Sequence, residues 1–435
     1  MSDFNLEKLK GAEVRHVQVW LSVCLLCAGE LMSAQTISED ATASVSFAEV
    51  IHVAEAVSPI VVLSDPGQHS LVAVSAKLQG RVLTSSADGW NGRSLGWVNE
   101  KLISSRQVQP HFNAYGGEDR IWIAPEGGQF SVFFAPKAPF DLAHWFTPAP
   151  LDTESFEVVL QSKESVSFKE RFTLENYSGT NFEIQVDREV KLLSDNQVWR
   201  DLKVDPVKQV RFVAFESLNK LTNAGKVAWN KKTGLLAIWI LGQFQASPST
   251  TIVIPIHEGS VAQLGVPVTS DYFGPTPPER LAVRPNAIFM KADAEYRGKL
   301  GINPERAKGV FGSYDAQHHL LTIVQQTLSD PKADYVNNAW KIQDEPFKGD
   351  VTNAYNDGAQ ADGARMGHFY ELESLSPAVA LKPGQSIEHM QRTFHFEGDE
   401  QQLDQIARSV LGVSLREINT ALPNSEAQKS DNHTR

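Results

Sequence analysis

Hydrophobic and polar residues alternate along most of this chain with the period of a β-strand. "FSVFF", "FEVVL", "VSFKERFTL", "FEIQVDREVKLL" and "VRFVAF" follow one another in the first half; "LLAIWILGQF", "TTIVIPI", "AIFMKA", "LLTIVQQTL", "FYELES" and "TFHFEG" occupy the second. Alternations and short apolar runs of this kind, rich in β-branched and aromatic residues, predict strands. Turn chemistry separates them, as in "SDPG", "SADGWNG", "NYSGT", "KKTG", "YNDG" and "KPGQ". Two stretches carry helical spacing instead. One is 47–57. The other is "EQQLDQIARSVLG", where Leu403, Ile406, Ala407, Val410 and Leu411 form one stripe and Gly412 supplies a stop. No repeat of fixed period is present, which argues against a propeller or solenoid. So many strands must protect their edges, as a barrel or as two large packed sheets. No change of composition divides 45–412, so one mostly-β domain is expected there, followed by a polar, disordered tail over 420–435.

Composition narrows the partners. The 435 residues carry a formal net charge of −12, which argues against nucleic acid, whose binding needs a basic footprint. The uncharged run "VQVWLSVCLLCAG", 17–29, follows Lys8, Lys10, Arg15 and His16. It is too short for a comfortable membrane span and fits the apolar core of a secretory signal cleaved after Ala34. Residues 1–34 are therefore expected to be a signal peptide on a periplasmic or secreted protein without a membrane span in its mature chain. The alternative is a cytoplasmic protein with a buried N-terminal segment. Both cysteines, Cys24 and Cys27, lie in this run. A mature chain cleaved there has no thiol for a nucleophile, a disulfide or a zinc site.

The chain has no phosphate-binding "GxxxxGK[ST]", no "GxSxG", no "HExxH" and no dinucleotide fingerprint, so no cofactor and no metal are expected. Two stretches carry chemistry instead. In "GGEDRIWIAPEGG", strand alternation puts Glu118, Arg120 and Trp122 on one face and Asp119, Ile121 and Ile123 on the other. An Arg beside a Trp, framed by carboxylates, can hold a polyhydroxylated ligand: the guanidinium donates to hydroxyls and the indole stacks on a sugar face. The same residues could instead form an internal ion pair that locks a turn, while the glycines let backbone come close to something. In "GHFYELES", Phe369, Glu371 and Glu373 share one face, the two carboxyls roughly 7 Å apart along the strand. Like charges at that range in a recessed site raise one pKa and equip it to move a proton; on an open strand they are only a solvated face. His368 lies beside them with the opposite parity.

Other residues read as structural. His318 and His319 follow a turn, Arg297 and Lys299 share a strand face that reads as surface charge or as a rim for an acidic sugar, and His395 and Trp239 read as core. Two glutamates from one strand would flank a ligand on one side only, which ranks a glycoside hydrolase, with its opposed carboxyls, behind the other readings.

"GGEDRIWIAPEGG", "LES" followed by "LKPGQSIEH", and "VTNAYNDG" at 351–358 occur in an order that resembles the aldose 1-epimerase (galactose mutarotase-like) superfamily. "LQGRVLTS", "YGGEDRIW", "WILGQF", "GSYDA", "YNDG" and "FYELESLSP" resemble more closely an uncharacterised secreted branch of unknown function within it, over about 60–412. The resemblance implies a β-supersandwich that binds a small-molecule carbohydrate. It implies Glu373 as the base on an anomeric hydroxyl and Arg120 as a sugar-holding residue. Glu118, Asp119, Trp122, Tyr355, Asp357 and Glu371 are expected around the ligand, with Asp119 alternatively anchoring the turn from the opposite face. The superfamily's acid, a His after an Asn, is not matched: Ala224 follows Asn223. His368, His318, His319 and Lys299 are the candidates for that role, His368 first. The competing expectation is a non-catalytic carbohydrate-recognition protein that kept the pocket and lost the acid.

Overall fold

The computed structural model describes residues 45–359 and 363–423. The expected signal segment, with both cysteines, and 424–435 of the expected tail lie outside the described residues.

Three antiparallel sheets account for the strands. A small one joins β1 (Val61–Ser64), β2 (Leu71–Ser75) and β3 (Arg81–Ser86). A five-stranded sheet contains β4 (Arg120–Ala124), β9 (Ala237–Gln245), β13 (Gly298–Ile302), β16 (Thr352–Asn356) and β17 (Phe369–Leu375), in the order β13-β16-β17-β9-β4. The largest sheet has ten strands. Its first half is β5 (Glu157–Gln161), β6 (Ser165–Glu175), β7 (Asn181–Leu192), β8 (Arg211–Asn223) and β10 (Thr250–Pro255). Its second half is β11 (Leu281–Val283), β12 (Ala287–Lys291), β14 (Val310–Asp315), β15 (Leu320–Gln326) and β18 (Ser386–Glu397). The order across it is β11-β12-β10-β14-β15-β18-β8-β7-β6-β5. Of the two architectures left open by strand counting, this is the one with large packed sheets.

The main core lies between the ten-stranded and five-stranded sheets. Ile121, Ile123, Ile238 and Ile240 from the smaller sheet meet Val186, Val213 and Phe215 from the larger. Toward the other end, Leu300 and Leu372 meet Ile252, Phe311 and Val324. Each such side chain contributes roughly 1.5–3 kcal/mol by leaving water. The ten-stranded sheet has a second apolar cluster, in which Leu321, Phe394 and Phe396 pack with Trp199 of α3 (Asp195–Leu202) and with helices α5 (Glu400–Leu411) and α6 (Leu415–Thr420).

The expected helices form where the spacing places them. Helix α1 (Phe47–Glu55) starts at a capping box of Ser46 and Glu49, and α5 ends at Gly412 with a left-handed φ of 70°. Short helices α2 (Glu100–Ser105) and α4 (Val261–Leu264) sit in connections. The packed body continues past Gly412, because Ser414 caps α6 and Leu415 and Ile418 are buried.

One feature of burial positions the site. β7 alternates buried and partly exposed residues, as a sheet open on one face should. β4 and β17 are buried at every position. The outer face of the five-stranded sheet is therefore covered, and loops between 109 and 152 and between 333 and 350 contribute to the cover.

Candidate functional site

Residues directly opposite one another on paired strands point the same way, so the register fixes what lies on the covered outer face. One row across the sheet is Gln243, Glu371, Tyr355 and Lys299, in β9, β17, β16 and β13. The next is Arg120, Leu241, Glu373, Asn353 and Gly301. A third pairs Trp122 with Trp239. The intervening positions, Ile121, Ile240, Leu372, Ala354 and Leu300, face the core instead. A two-residue period thus places charge on one side of a strand and oil on the other.

The ion pairs run diagonally. Arg120, in the row of Glu373, donates from Nη2 to Glu371 Oε1 at 3.4 Å. Lys299, in the row of Glu371, reaches over β16 and donates to Glu373 Oε2 at 3.1 Å. Trp239 Nε1 donates to the same Glu373 oxygen at 2.9 Å, and Gln243 Nε2 donates to Glu371 Oε1 at 2.9 Å. Glu371 Oε2 accepts no hydrogen bond from any described residue.

The two carboxyls are not equivalent. Burial first, and then the neighbouring Glu373, push the Glu371 carboxyl up to about 8; Arg120 and Lys299 pull against this. Burial alone would lower Lys299, but the carboxylates of Glu373, Glu126 and Glu371 outweigh it and hold the ammonium above its usual range. Burial lowers Arg120, with Glu371 opposing. Glu373 is fully buried, whereas Glu371 reaches the wall of a cavity of about 660 Å³.

That cavity is lined by Arg120, Trp122, Trp239, Gln243, Lys299, Tyr355 and Glu371 from the sheet. Aromatic residues from the covering loops, Phe112, Trp145, Phe273 and Trp340, complete it. Arg120 is stacked, its guanidinium carbon 4.1 Å from the Trp122 ring centre and 5.2 Å from that of Phe112. Several buried polar atoms of this cluster have no partner among the described residues: Arg120 Nε and Nη1, Gln243 Oε1, Glu373 Oε1 and Asn353 Oδ1. Such groups cost about 1–3 kcal/mol each when left unpaired.

The structure brings together Arg120, Trp122, Tyr355, Glu371 and Glu373 from the expected set. Asp357 stands just behind: its Oδ1 accepts from Tyr355 Oη at 2.7 Å and its Oδ2 from Gly367 N at 2.9 Å, so it orients the tyrosine. Glu118 and Asp119 are elsewhere. The chain bends at Glu118, before β4 begins, and the strand parity does not extend back to it. Glu118 accepts from Ser85 N, Ser85 Oγ and His395 Nε2. Asp119 accepts from Arg188 Nη2 at 2.6 Å and Ser217 Oγ at 2.8 Å. Both are ties between elements in the interior. The glycine pairs serve the same packing. A Cβ on Gly116 would lie 2.1 Å from Trp97 O, and one on Gly127 would lie 2.4 Å from Ala339 O, so the close approach is to other backbone.

His368 does not join the cluster. It is exposed and precedes β17, about 16 Å along the strand from Glu373 at the usual rise. His318 Nδ1 donates to Asp315 Oδ2 at a turn, and His319 occupies a left-handed turn position. The histidine lining the cavity is His111, stacked on Phe146 and bonded through Nδ1 to Trp145 O. It has no neighbouring motif in the sequence. Lys299 and Arg297 line the cavity although their charges read as surface. Gln243 and Trp239 could have been found from parity within "AIWILGQF", since 239, 241 and 243 share a face. Glu126 and Trp340 lie on loops and leave no periodic signal. Among the described residues no group of three or more His, Cys, Asp or Glu is arranged to hold a metal, and no helix is long and apolar enough to cross a membrane.

No curated protein matches the sequence. Among solved structures, the chain is similar to that of an aldose 1-epimerase candidate from Escherichia coli K12, at 15% identity and a TM-score of 0.46, over 78% of this chain and 99% of that one. It is also similar to a galactose mutarotase-like protein from Lactobacillus casei, at 10% identity and a TM-score of 0.44, over 78% and 100%. A galactose mutarotase related enzyme from Lactobacillus acidophilus matches at 9% identity and 0.44, over 78% and 99%. The model of one family of unknown function (DUF6786) matches residues 45–422, and the chain belongs to that family.

Proposed function

We propose that the protein binds a carbohydrate in the cavity on the outer face of the five-stranded sheet, and that Glu371 exchanges a proton with one of its hydroxyls. The observation that carries this reading is the Glu371 carboxyl. It reaches the cavity wall, has one oxygen without a hydrogen bond among the described residues, and is raised to about 8 by burial and by Glu373. A carboxyl poised near neutrality is suited to general acid–base work. Glu373 is tied to Lys299 and Trp239, and two neighbouring carboxyls held in such different surroundings can divide the acid and base roles. Anomer interconversion of a free sugar is the reaction such a pair supports, with Glu371 at the substrate. Glu373, the base implied by resemblance, acts behind it.

The ligand class follows from the unpartnered atoms and the rings. Arg120 and Gln243 leave both donors and an acceptor unsatisfied beside the cavity. A sugar hydroxyl both donates and accepts, and its C–H faces stack on indoles such as Trp340. A second reading, recognition without catalysis, is favoured by the sealing of Glu373 behind Lys299 and Trp239. Calorimetric titration with common aldoses, paired with polarimetry on freshly dissolved α-anomers, separates the two. Binding with accelerated mutarotation supports the first reading; binding without acceleration leaves the second; no binding removes both.

A further inference from the structure

The aromatic cavity does not end at the sheet. A second cavity, also about 660 Å³, adjoins it and shares Glu126, Leu142, Phe273, Arg297, Lys299 and Trp340 as a common wall. Each volume alone falls in the range of about 300–1,000 Å³ that holds a whole small ligand. The two differ in chemistry. The first is walled by indole and phenyl rings; the second is walled by Thr269, Asp271, Tyr272, Asn337, Lys341 and Asp350.

Three observations suggest that the second cavity is built for a ligand. First, Tyr272 donates to Asp350 Oδ2 at 2.6 Å directly over the sheet. Gly301 leaves the space for that pair, since a Cβ there would lie 2.0 Å from Asp350 Oδ2 and 2.9 Å from Tyr272 Oη. Second, two opposite charges in the shared wall, Glu126 and Arg297, form no ion pair among the described residues; Glu126 meets the Trp340 side chain instead. Arg297 is held by its Nε on Tyr355 Oη at 3.3 Å and by stacking 4.0 Å from the Phe273 ring centre, and its two terminal nitrogens have no hydrogen-bond partner among the described residues. Third, Lys299 borders both cavities, and its bond to Glu373 places the ammonium between them.

We infer that the ligand is a carbohydrate chain of at least two sugar units, one stacked in the aromatic cavity beside Glu371 and the next hydrogen-bonded in the polar cavity, with the linkage crossing the wall at Arg297 and Trp340. This rests on the carbohydrate reading of the aromatic cavity and goes beyond it by fixing the size of the ligand. A lone sugar would leave the polar cavity unused; a second unit fills it, and Arg297 in the shared wall stands where the two units meet.

The test is calorimetric titration of the full chain with matched series: glucose, cellobiose and cellotriose; glucose, maltose and maltotriose; galactose and galactobiose. In at least one series the disaccharide should bind about 10-fold or more tightly than its monosaccharide, equivalent to about 1.4 kcal/mol. The ratio of disaccharide to monosaccharide affinity should then collapse toward one in Asp271→Ala/Lys341→Ala, two exposed positions whose replacement threatens the fold little. Equal affinity for mono- and disaccharide in every binding series would overturn the two-unit inference and leave the carbohydrate reading intact. A disaccharide advantage that survives the double substitution would overturn the assignment of the second unit to the polar cavity. Absence of binding in all series would overturn both.

Discussion

The stretch 118–120 feeds two buried charge clusters that differ in one respect. In the interior, Glu118 and Asp119 meet Ser85, Arg188, Ser217 and His395, and Arg188 also bonds Asn219 and Gly80 O. None of these side chains has an unpartnered buried polar atom. On the outer face, Arg120, Glu371, Gln243, Glu373 and Asn353 are as deeply buried, and four of the five carry unpartnered atoms. A complete network needs nothing further and holds the sheets in register. An incomplete one beside a cavity carries a standing cost that a polar ligand can relieve. Burial of charge therefore does not separate structure from function here; completeness of pairing does.

The largest effect is expected from Asp119→Ala. It strands Arg188 in the interior and should cost about 3–5 kcal/mol in urea unfolding. A loss under about 1 kcal/mol would mean that the interior network is dispensable. On the outer face, Glu371→Gln should keep the ligand and slow anomer interconversion about 100-fold or more, measured by polarimetry. Arg120→Ala should weaken sugar binding about 10- to 100-fold by calorimetry, the range for a lost charge-assisted hydrogen bond.

A smaller effect reads the Glu371 proton directly. Its carboxyl sits at about 8 in the folded chain, against about 4.3 when unfolded. Between those values the folded state holds a proton that the unfolded state has released. The group's contribution to stability is thus complete below the lower value and is lost as pH rises toward the upper one, falling by at most about 1.4 kcal/mol per pH unit. Glu371→Gln should flatten the fall of unfolding free energy between about pH 5 and 8. An unchanged slope would show that another group titrates there. The smallest effect belongs to His368→Ala, which should leave binding and rate within about twofold, since the residue is exposed and outside the cavity lining.

The pattern of strands was legible because alternation is a local property. Arg120 and Trp122, or Glu371 and Glu373, share a face whatever the rest of the chain does, and the register of β4 and β17 against β9 keeps each pair on one side of the sheet. Legibility stopped at the strand ends. Glu118 has the parity of Arg120, but the bend before β4 turns it inward toward His395. His368 lies only three residues before Glu371, yet the strand carries it out of reach. Lys299 read as surface charge because its own strand gives no hint that loops cover that face. Trp340, Glu126 and His111 come from those loops, whose approach to the sheet is set by long-range packing such as Gly127 against Ala339.

On the carbohydrate reading, the outer-face cluster is incomplete because it awaits a sugar. A crystal structure of the wild-type chain soaked with a sugar shown to bind by calorimetry tests it most directly. A pyranose ring is expected in the aromatic cavity, with a hydroxyl within hydrogen-bond distance of Glu371 Oε2 and others engaging Arg120 or Gln243. A sugar bound elsewhere on the protein, with Glu371 and Arg120 unchanged and untouched, would contradict it.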